Sequence, residues 1–174
     1  MKNQRRNFIK SSVALASLSV LPSHIIASTK KNILRTAHIG VGGMGAADLN
    51  DIASHKSVVV TGLCDVDSKA LDKASKLFPN AKVYKDYRVM LNDLKDSVDA
   101  VVVSTPDHTH APASMLAMSL NKSVYCQKPL THHVSESRAM RKLAKEKNLI
   151  TQMGIQVHSF YDYKLATLLI QSGI

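Results

Sequence analysis

The stretch LRTAHIGVGGMG, residues 34–45, decides how the rest of the chain is read. An apolar-leaning run ending in Ile39 reads as a buried strand. It passes into a glycine-rich turn, and a helical segment opens behind it. The glycines fall at Gly40, Gly42 and Gly45, the GxGxxG spacing of a dinucleotide-binding turn. Each glycine answers a different steric need. Gly40 allows the tight turn, Gly42 lets backbone approach a pyrophosphate, and Gly45 lets the helix pack closely. With Gly43 and Met44 they form the start of a helix, whose free N–H groups and dipole favour a phosphate. The spacing alone is weak; its place between a strand and a helix strengthens it.

On the carboxyl side, short apolar runs alternate with segments of helical period. A strand is expected over residues 33–39, a turn over 40–43, and a helix over 44–53 with Ala46, Ala47, Leu49 and Ile52 apolar. A second strand spans 58–64. Asp67 can cap a helix in which Ala70, Leu71, Ala74, Leu77 and Phe78 follow a 3.6 period until Pro79 and Asn80 stop it. Next come an edge strand (82–84), a helix (87–94), a strand buried on both faces (100–104), a helix (110–120) with Pro112 in its first turn, and a strand (123–126). Thr131 is placed to cap a helix that buries Val134, Met140 and Leu143. A sixth strand (150–153) and a helix (161–172) with apolar Leu165, Leu168 and Leu169 close the pattern. Such alternation implies right-handed crossovers and a doubly wound parallel α/β sheet. Sheets of this kind hold ligands at the carboxyl ends of their strands. The loops to watch begin at Gly40, Asp65, Thr105, Gln127 and Gly154.

Asp65 closes the second strand, 20 residues after Gly45. A carboxylate there can accept hydrogen bonds from the ribose hydroxyls, which favours NAD over NADP. Lys69 lies near enough to weaken that preference, and Asp65 could instead cap the helix, though Asp67 is better placed. Thr105, Pro106 and His108, in STPDHTH at 104–110, should lie beside the pyrophosphate and nicotinamide end of the cofactor. His108 and His110 do not share a helix face and have no carboxylate-rich partner set, so no metal site is expected. A role at the helix start or lining a pocket suits them better.

With the next loop, YCQKPLT at 125–131, the chain resembles the Gfo/Idh/MocA family of oxidoreductases. The resemblance rests on GVGGMG at 40–45, CDVD at 64–67, STPDHTH at 104–110, QKP at 127–129 and MGIQVHS at 153–159, and covers residues 33–174. It implies a Rossmann-type domain over residues 33–157, with residues 158–174 beginning the connection to a second, α+β domain missing here. It also implies a catalytic role for Lys128, whose ammonium would face the nicotinamide and the substrate hydroxyl. There it can stabilise a developing negative charge and relay a proton. Alone, a lysine at such a turn would read as a surface residue. Gln127 departs from the family, which usually has Glu: an amide keeps a hydrogen bond but removes a charge beside Lys128. The Gln-Lys-Pro form looks like an exported branch of the family. Gln156 and His158 either line the pocket or satisfy loop backbone.

Upstream of residue 34 the chain has a different character. Residues 1–27 carry Lys2, Arg5, Arg6 and Lys10, no acid, and a short apolar core from residue 11 to 21. That core is too short for a permanent membrane anchor. The adjacent arginines followed by Phe8-Ile9-Lys10 resemble a twin-arginine export signal. Residues 28–32 read as a linker. The expected location is therefore the bacterial periplasm. The net charge of +10 is partly this address, since the rest of the chain sets 19 basic residues against 13 acidic ones. Those charges alternate over helical segments, and aromatic residues make up only 5%, which argues against nucleic-acid binding. Cys64 and Cys126 end strand-like runs that would not be neighbours, so buried free thiols are expected.

The leading functional expectation is the cofactor-binding part of an exported NAD-dependent oxidoreductase of a sugar or polyol hydroxyl. The resemblance further allows homo-oligomers of the full-length protein. Alternatives are a glycoside hydrolase that oxidises C3 of its sugar transiently with NAD, and a non-catalytic dinucleotide-binding module.

Overall fold

The computed structural model describes residues 33–173. The expected export signal and linker lie outside them. Six strands, β1 (Leu34–Ile39), β2 (Val58–Cys64), β3 (Lys82–Tyr84), β4 (Ala100–Val103), β5 (Ser123–Gln127) and β6 (Thr151–Gly154), form one sheet in the order β3-β2-β1-β4-β5-β6. All neighbouring pairs are parallel. The first strand, β1, lies inside the sheet; the path winds outward through β2 and β3, then crosses back to β4. The order therefore reverses between β1 and β4, where a doubly wound sheet opens its crevice.

The connecting helices are α1 (Met44–Ala53), α2 (Ser68–Leu77), α3 (Tyr87–Asp93), α4 (Asp107–Ser119) and α5 (Val134–Glu146), with α6 (Tyr161–Gln171) after a 3-10 turn at Gln156–Ser159. Two apolar cores result. Val41, Leu49, Val60, Leu63, Leu71 and Ala74 pack with α1 and α2. A larger cluster, including Ile39, Met90, Val101, Val103, Met118 and Met140, packs with α3, α4 and α5. Leu63 and Met118 are wholly buried, each worth roughly 1.5–3 kcal/mol relative to exposure.

Several local expectations are corrected. Helix α4 starts at Asp107 rather than residue 110, because extended Pro106 (ψ 147°) ends the loop and the Asp107 carboxylate accepts the His108 N–H at 2.9 Å. Pro112 therefore sits in the second turn, on an exposed side where water can meet the carbonyl its ring deprives of a donor. Thr131 does not cap α5; its hydroxyl donates to the His133 carbonyl (2.8 Å), while the Glu136 carboxylate accepts the His133 N–H (2.9 Å). Val134 is exposed and Met140 is the buried residue of α5. On α1, Ala47 is exposed and Asp48 faces inward. Gly154 belongs to β6, and Leu165, Leu168 and Leu169 of α6 are exposed. Cys64 and Cys126 are free and buried, on strands separated by β1 and β4. Burial pushes their thiols up to about 12 and about 11.

His38 sits at the centre of the sheet, 1% exposed. Its Nε2 lies 3.1 Å from the Thr36 hydroxyl, and among the described residues its Nδ1 has no partner. Burial pushes its pKa down to about 4. The folded protein thus refuses a proton that the unfolded chain takes near pH 6.5, so this contribution is complete above pH 6.5 and is lost as pH falls towards 4. Denaturant unfolding across that range should show a loss on the order of 3 kcal/mol from this group, and His38→Leu should flatten that part of the slope.

Candidate functional site

The glycine turn is shaped by neighbouring backbone. Gly40 has φ +84°, and a Cβ there would lie 2.5 Å from the Ser104 carbonyl oxygen. The exits of β1 and β4 therefore touch through backbone at the reversal of strand order. A Cβ on Gly45 would run into the Gly40 carbonyl oxygen, so α1 rests on the turn itself. Among the described residues, the N–H groups of Gly42 and Gly43 make no backbone hydrogen bond. Gly43, the residue before α1, is exposed, with open space where a side chain would project. Free N–H groups at a helix start, unshielded by side chains, fit a pyrophosphate.

Asp65 is tied to this turn. One carboxylate oxygen accepts the Val41 N–H at 2.8 Å and the other accepts the Asp67 N–H at 2.9 Å. Each oxygen keeps a lone pair for a ribose hydroxyl. Asp67, not Asp65, caps α2, accepting the Lys69 N–H at 2.8 Å. Gly40, Gly42, Asp65, Thr105, Pro106 and His108 line one cleft of about 390 Å³ at the carboxyl ends of β1, β2 and β4. Sequence reasoning missed Lys85, which also lines it; it follows β3 just as Asp65 follows β2, and the same carboxyl-end rule would have found it.

His108 is exposed and leans towards Asp107. His110 is buried, its two ring nitrogens each 2.7 Å from a carbonyl oxygen, of Pro129 and of Thr105. It pins the loop after β4 to the loop after β5. The Asp107 carboxyl is held below the usual range, chiefly by its hydrogen bond with His132.

The remaining candidates meet around the last residue of β5. Gln127 is 4% exposed. Its Oε1 accepts the Lys128 N–H (3.1 Å) and the Gln156 amide (3.2 Å), and its Nε2 donates to both carboxylate oxygens of Asp48 (3.0 and 2.9 Å). Asp48 Oδ2 also accepts the Ser104 hydroxyl at 2.6 Å. Gln156 lies 3.4 Å from the Met44 sulfur, so the 3-10 turn reaches the first residue of α1. Lys128 itself is exposed beyond this buried amide. His158 stacks on Tyr163, ring centroids 5.0 Å apart. Neither Asp48 nor Ser104 stood out from sequence; the available signal was a carboxylate on the stripe of α1 that also carries buried Leu49 and Gly45.

A strand-order reversal with a glycine turn on one side and a lysine loop on the other defines a dinucleotide-binding oxidoreductase domain. A family model described as "Oxidoreductase family, NAD-binding Rossmann fold" matches residues 34–155. The chain belongs to the Gfo/Idh/MocA oxidoreductase family, and the cofactor of its fold is NAD. It is 30% identical over 143 residues to an inositol 2-dehydrogenase of Salmonella typhimurium, matching 80% of this chain and 42% of that protein. It is 32% identical over 133 residues to a glycosyl hydrolase family 109 protein of Stenotrophomonas maltophilia, matching 71% of this chain and 29% of that one. The chain thus spans less than half the length of these relatives. Among solved structures, myo-inositol 2-dehydrogenase from Lactobacillus plantarum superposes with a TM-score of 0.74 at 26% identity, over 81% of this chain and 42% of that one. The fold also matches scyllo-inositol dehydrogenase from Lactobacillus casei, solved with bound NAD(H) and scyllo-inositol (TM-score 0.73, 22% identity, 81% of this chain and 42% of that one).

Replacing His110 by Ala should remove the buried ring that bridges the Thr105 and Pro129 carbonyls. Thermal or denaturant unfolding should register a loss of roughly 1–3 kcal/mol, from the lost hydrogen bonding between the two loops.

Proposed function

We propose that this chain is the cofactor-binding part of an exported, NAD-dependent oxidoreductase that acts on a hydroxyl of a sugar or polyol. The observation that carries this is the placement of Lys128. It is exposed at the exit of β5, and its backbone N–H is held by a buried amide that also bonds Gln156 beside the start of α1. The inositol dehydrogenases among its relatives support a polyol substrate.

In this reading the free N–H groups of Gly42 and Gly43 hold the pyrophosphate, and Asp65 accepts from the adenosine ribose. Thr105, Pro106 and His108 line the same cleft and bound the cofactor on the β4 side. When bound, NAD supplies the hydride acceptor for the carbon that bears the hydroxyl. Lys128 Nζ takes up the hydroxyl proton through its lone pair as the hydride leaves the carbon, and the ammonium so formed donates a hydrogen bond to the carbonyl oxygen left behind before passing the extra proton to solvent. A ribose 2′-phosphate would meet the Asp65 carboxylate. NAD should therefore bind at least about tenfold more tightly than NADP in a side-by-side titration, a difference of roughly 1.4 kcal/mol.

A second reading is favoured by the family 109 relatives: a glycoside hydrolase in which a sugar hydroxyl is oxidised and later restored. Lys128 would serve it in the same way. Net redox change separates the two. With the full-length protein, a dehydrogenase accumulates NADH on addition of polyol, whereas a hydrolase releases free sugar from a glycoside with no net NADH.

In either case Lys128→Ala should cut turnover by roughly 10²–10⁴, the range for a positioned proton-transfer group. NAD affinity should stay nearly unchanged. Turnover that survives the substitution would remove Lys128 from the chemistry. Export is tested by fractionating cells: Arg5→Lys with Arg6→Lys should strand the protein in the cytoplasm.

A further inference from the structure

Gln127 places a neutral amide beside Lys128, and the structure supplies a physical reason for an amide there. The only partner within reach of its Nε2, among the described residues, is the carboxylate of Asp48, at 3.0 and 2.9 Å. Asp48 is 8% exposed and Gln127 4%, so neither can turn to water. Asp48 also accepts from Ser104 at 2.6 Å, the pattern of a carboxylate whose lone pairs are taken up by donors. The direction of the whole chain of hydrogen bonds follows. Gln156 donates to Gln127, Gln127 donates to Asp48, and Ser104 donates to Asp48. Reversing the Gln127 amide would set oxygen against oxygen at Asp48 and leave the Lys128 N–H facing a donor.

We infer that Asp48 is a positioning residue for the Lys128 loop. It supplies from α1 the negative charge behind the Lys128 loop, and it makes Gln rather than Glu the residue that fits at 127. The inference rests on the reading of this loop as part of the cofactor site. A Glu at 127 opposite Asp48 would place two carboxylates about 3 Å apart in a buried site, where like charges cannot both persist. An Asn at 48 would relieve it, because an amide can donate to that Glu. Positions 48 and 127 thus form a charge-exchangeable pair. One member sits on the helix behind the glycine turn and the other on the strand that delivers Lys128, so the pair ties the two halves of the cleft.

The test is a cycle of Asp48→Asn, Gln127→Glu and the double variant in the full chain. Two quantities are measured: the thermal midpoint without cofactor, and NAD affinity by calorimetric titration. Gln127→Glu alone should lower the midpoint by several degrees and weaken NAD by roughly tenfold, within the range for coupled neighbours. The double variant should recover both, with NAD affinity within about threefold of the native chain. Should Gln127→Glu fail to fold, folding of the double variant supports the pairing equally well. The inference is overturned if Gln127→Glu behaves like the native chain, or if the double variant is no better than Gln127→Glu. It is also overturned if stability is rescued but NAD affinity is not, which would make the pair structural only. A native chain that does not bind NAD would instead remove the cofactor reading, while the thermal cycle would still decide whether the two side chains are coupled.

Discussion

The carbonyl oxygen of Ser104 lies where a side chain on Gly40 would begin. That contact is the constraint from which the site follows. Because β1 and β4 are neighbours whose connections leave in opposite directions, the chain must turn sharply at the end of β1, against the backbone at the end of β4. Only a residue without a Cβ can do so at φ +84°. The turn then presents its N–H groups outward and seats α1 directly on top. With α1 seated there, Asp48 comes within reach of both the β4 exit and the β5 exit. A backbone contact between two strands thus governs where a helix carboxylate lies.

Much of the frame was legible in the sequence because it is written in periodicity and punctuation. The run VVVTGLC, the apolar AVVV and the spacing of Leu71 and Ala74 specify strands and a helix by their apolar period alone. The glycine turn, the Asp65 exit and the Asp67 cap are local devices, and local devices are visible locally. What escaped depends on partners distant in the chain. Asp48 and Gln127 are 79 residues apart, and one of the two carbonyls facing His110 is 19 residues away. Nothing in the neighbourhood of His110 distinguishes a ring that bridges two loops from one that lines a pocket. The starts of α4 and α5 were misplaced for a related reason: Asp107 and Glu136 reach the helix N–H groups from within the first turn, while Thr131 outside it offered the more familiar signal.

Polarity inside the site is set by few charges. Most other side-chain contacts at the carboxyl ends involve amides and hydroxyls, which can turn to donate or accept. Asp48 cannot, because a carboxylate only accepts, and Asp65 is fixed likewise by two N–H groups. Asp65 is bound to the glycine turn through the Val41 N–H, and Asp48 lies on the helix that follows the turn. In the proposed cofactor reading, Asp65 would meet the ribose, Asp48 would hold the side towards Lys128, and the neutral glycine backbone would be left for the negatively charged part of a dinucleotide.

The two apolar cores lie on opposite faces of the sheet and differ in size. The smaller one holds α1 and α2, and with them the turn, Asp48 and the Asp67 cap; the larger one holds α4 and α5, which bracket the Lys128 loop. A molecule lying across the cleft would be gripped by both layers at once and would act as a rivet between them. Thermodynamically, the less stable layer then borrows cohesion from its cargo. Loss of that cargo would loosen the α1–α2 layer first, and the lysine side of the cleft would outlast the phosphate side as a folded unit.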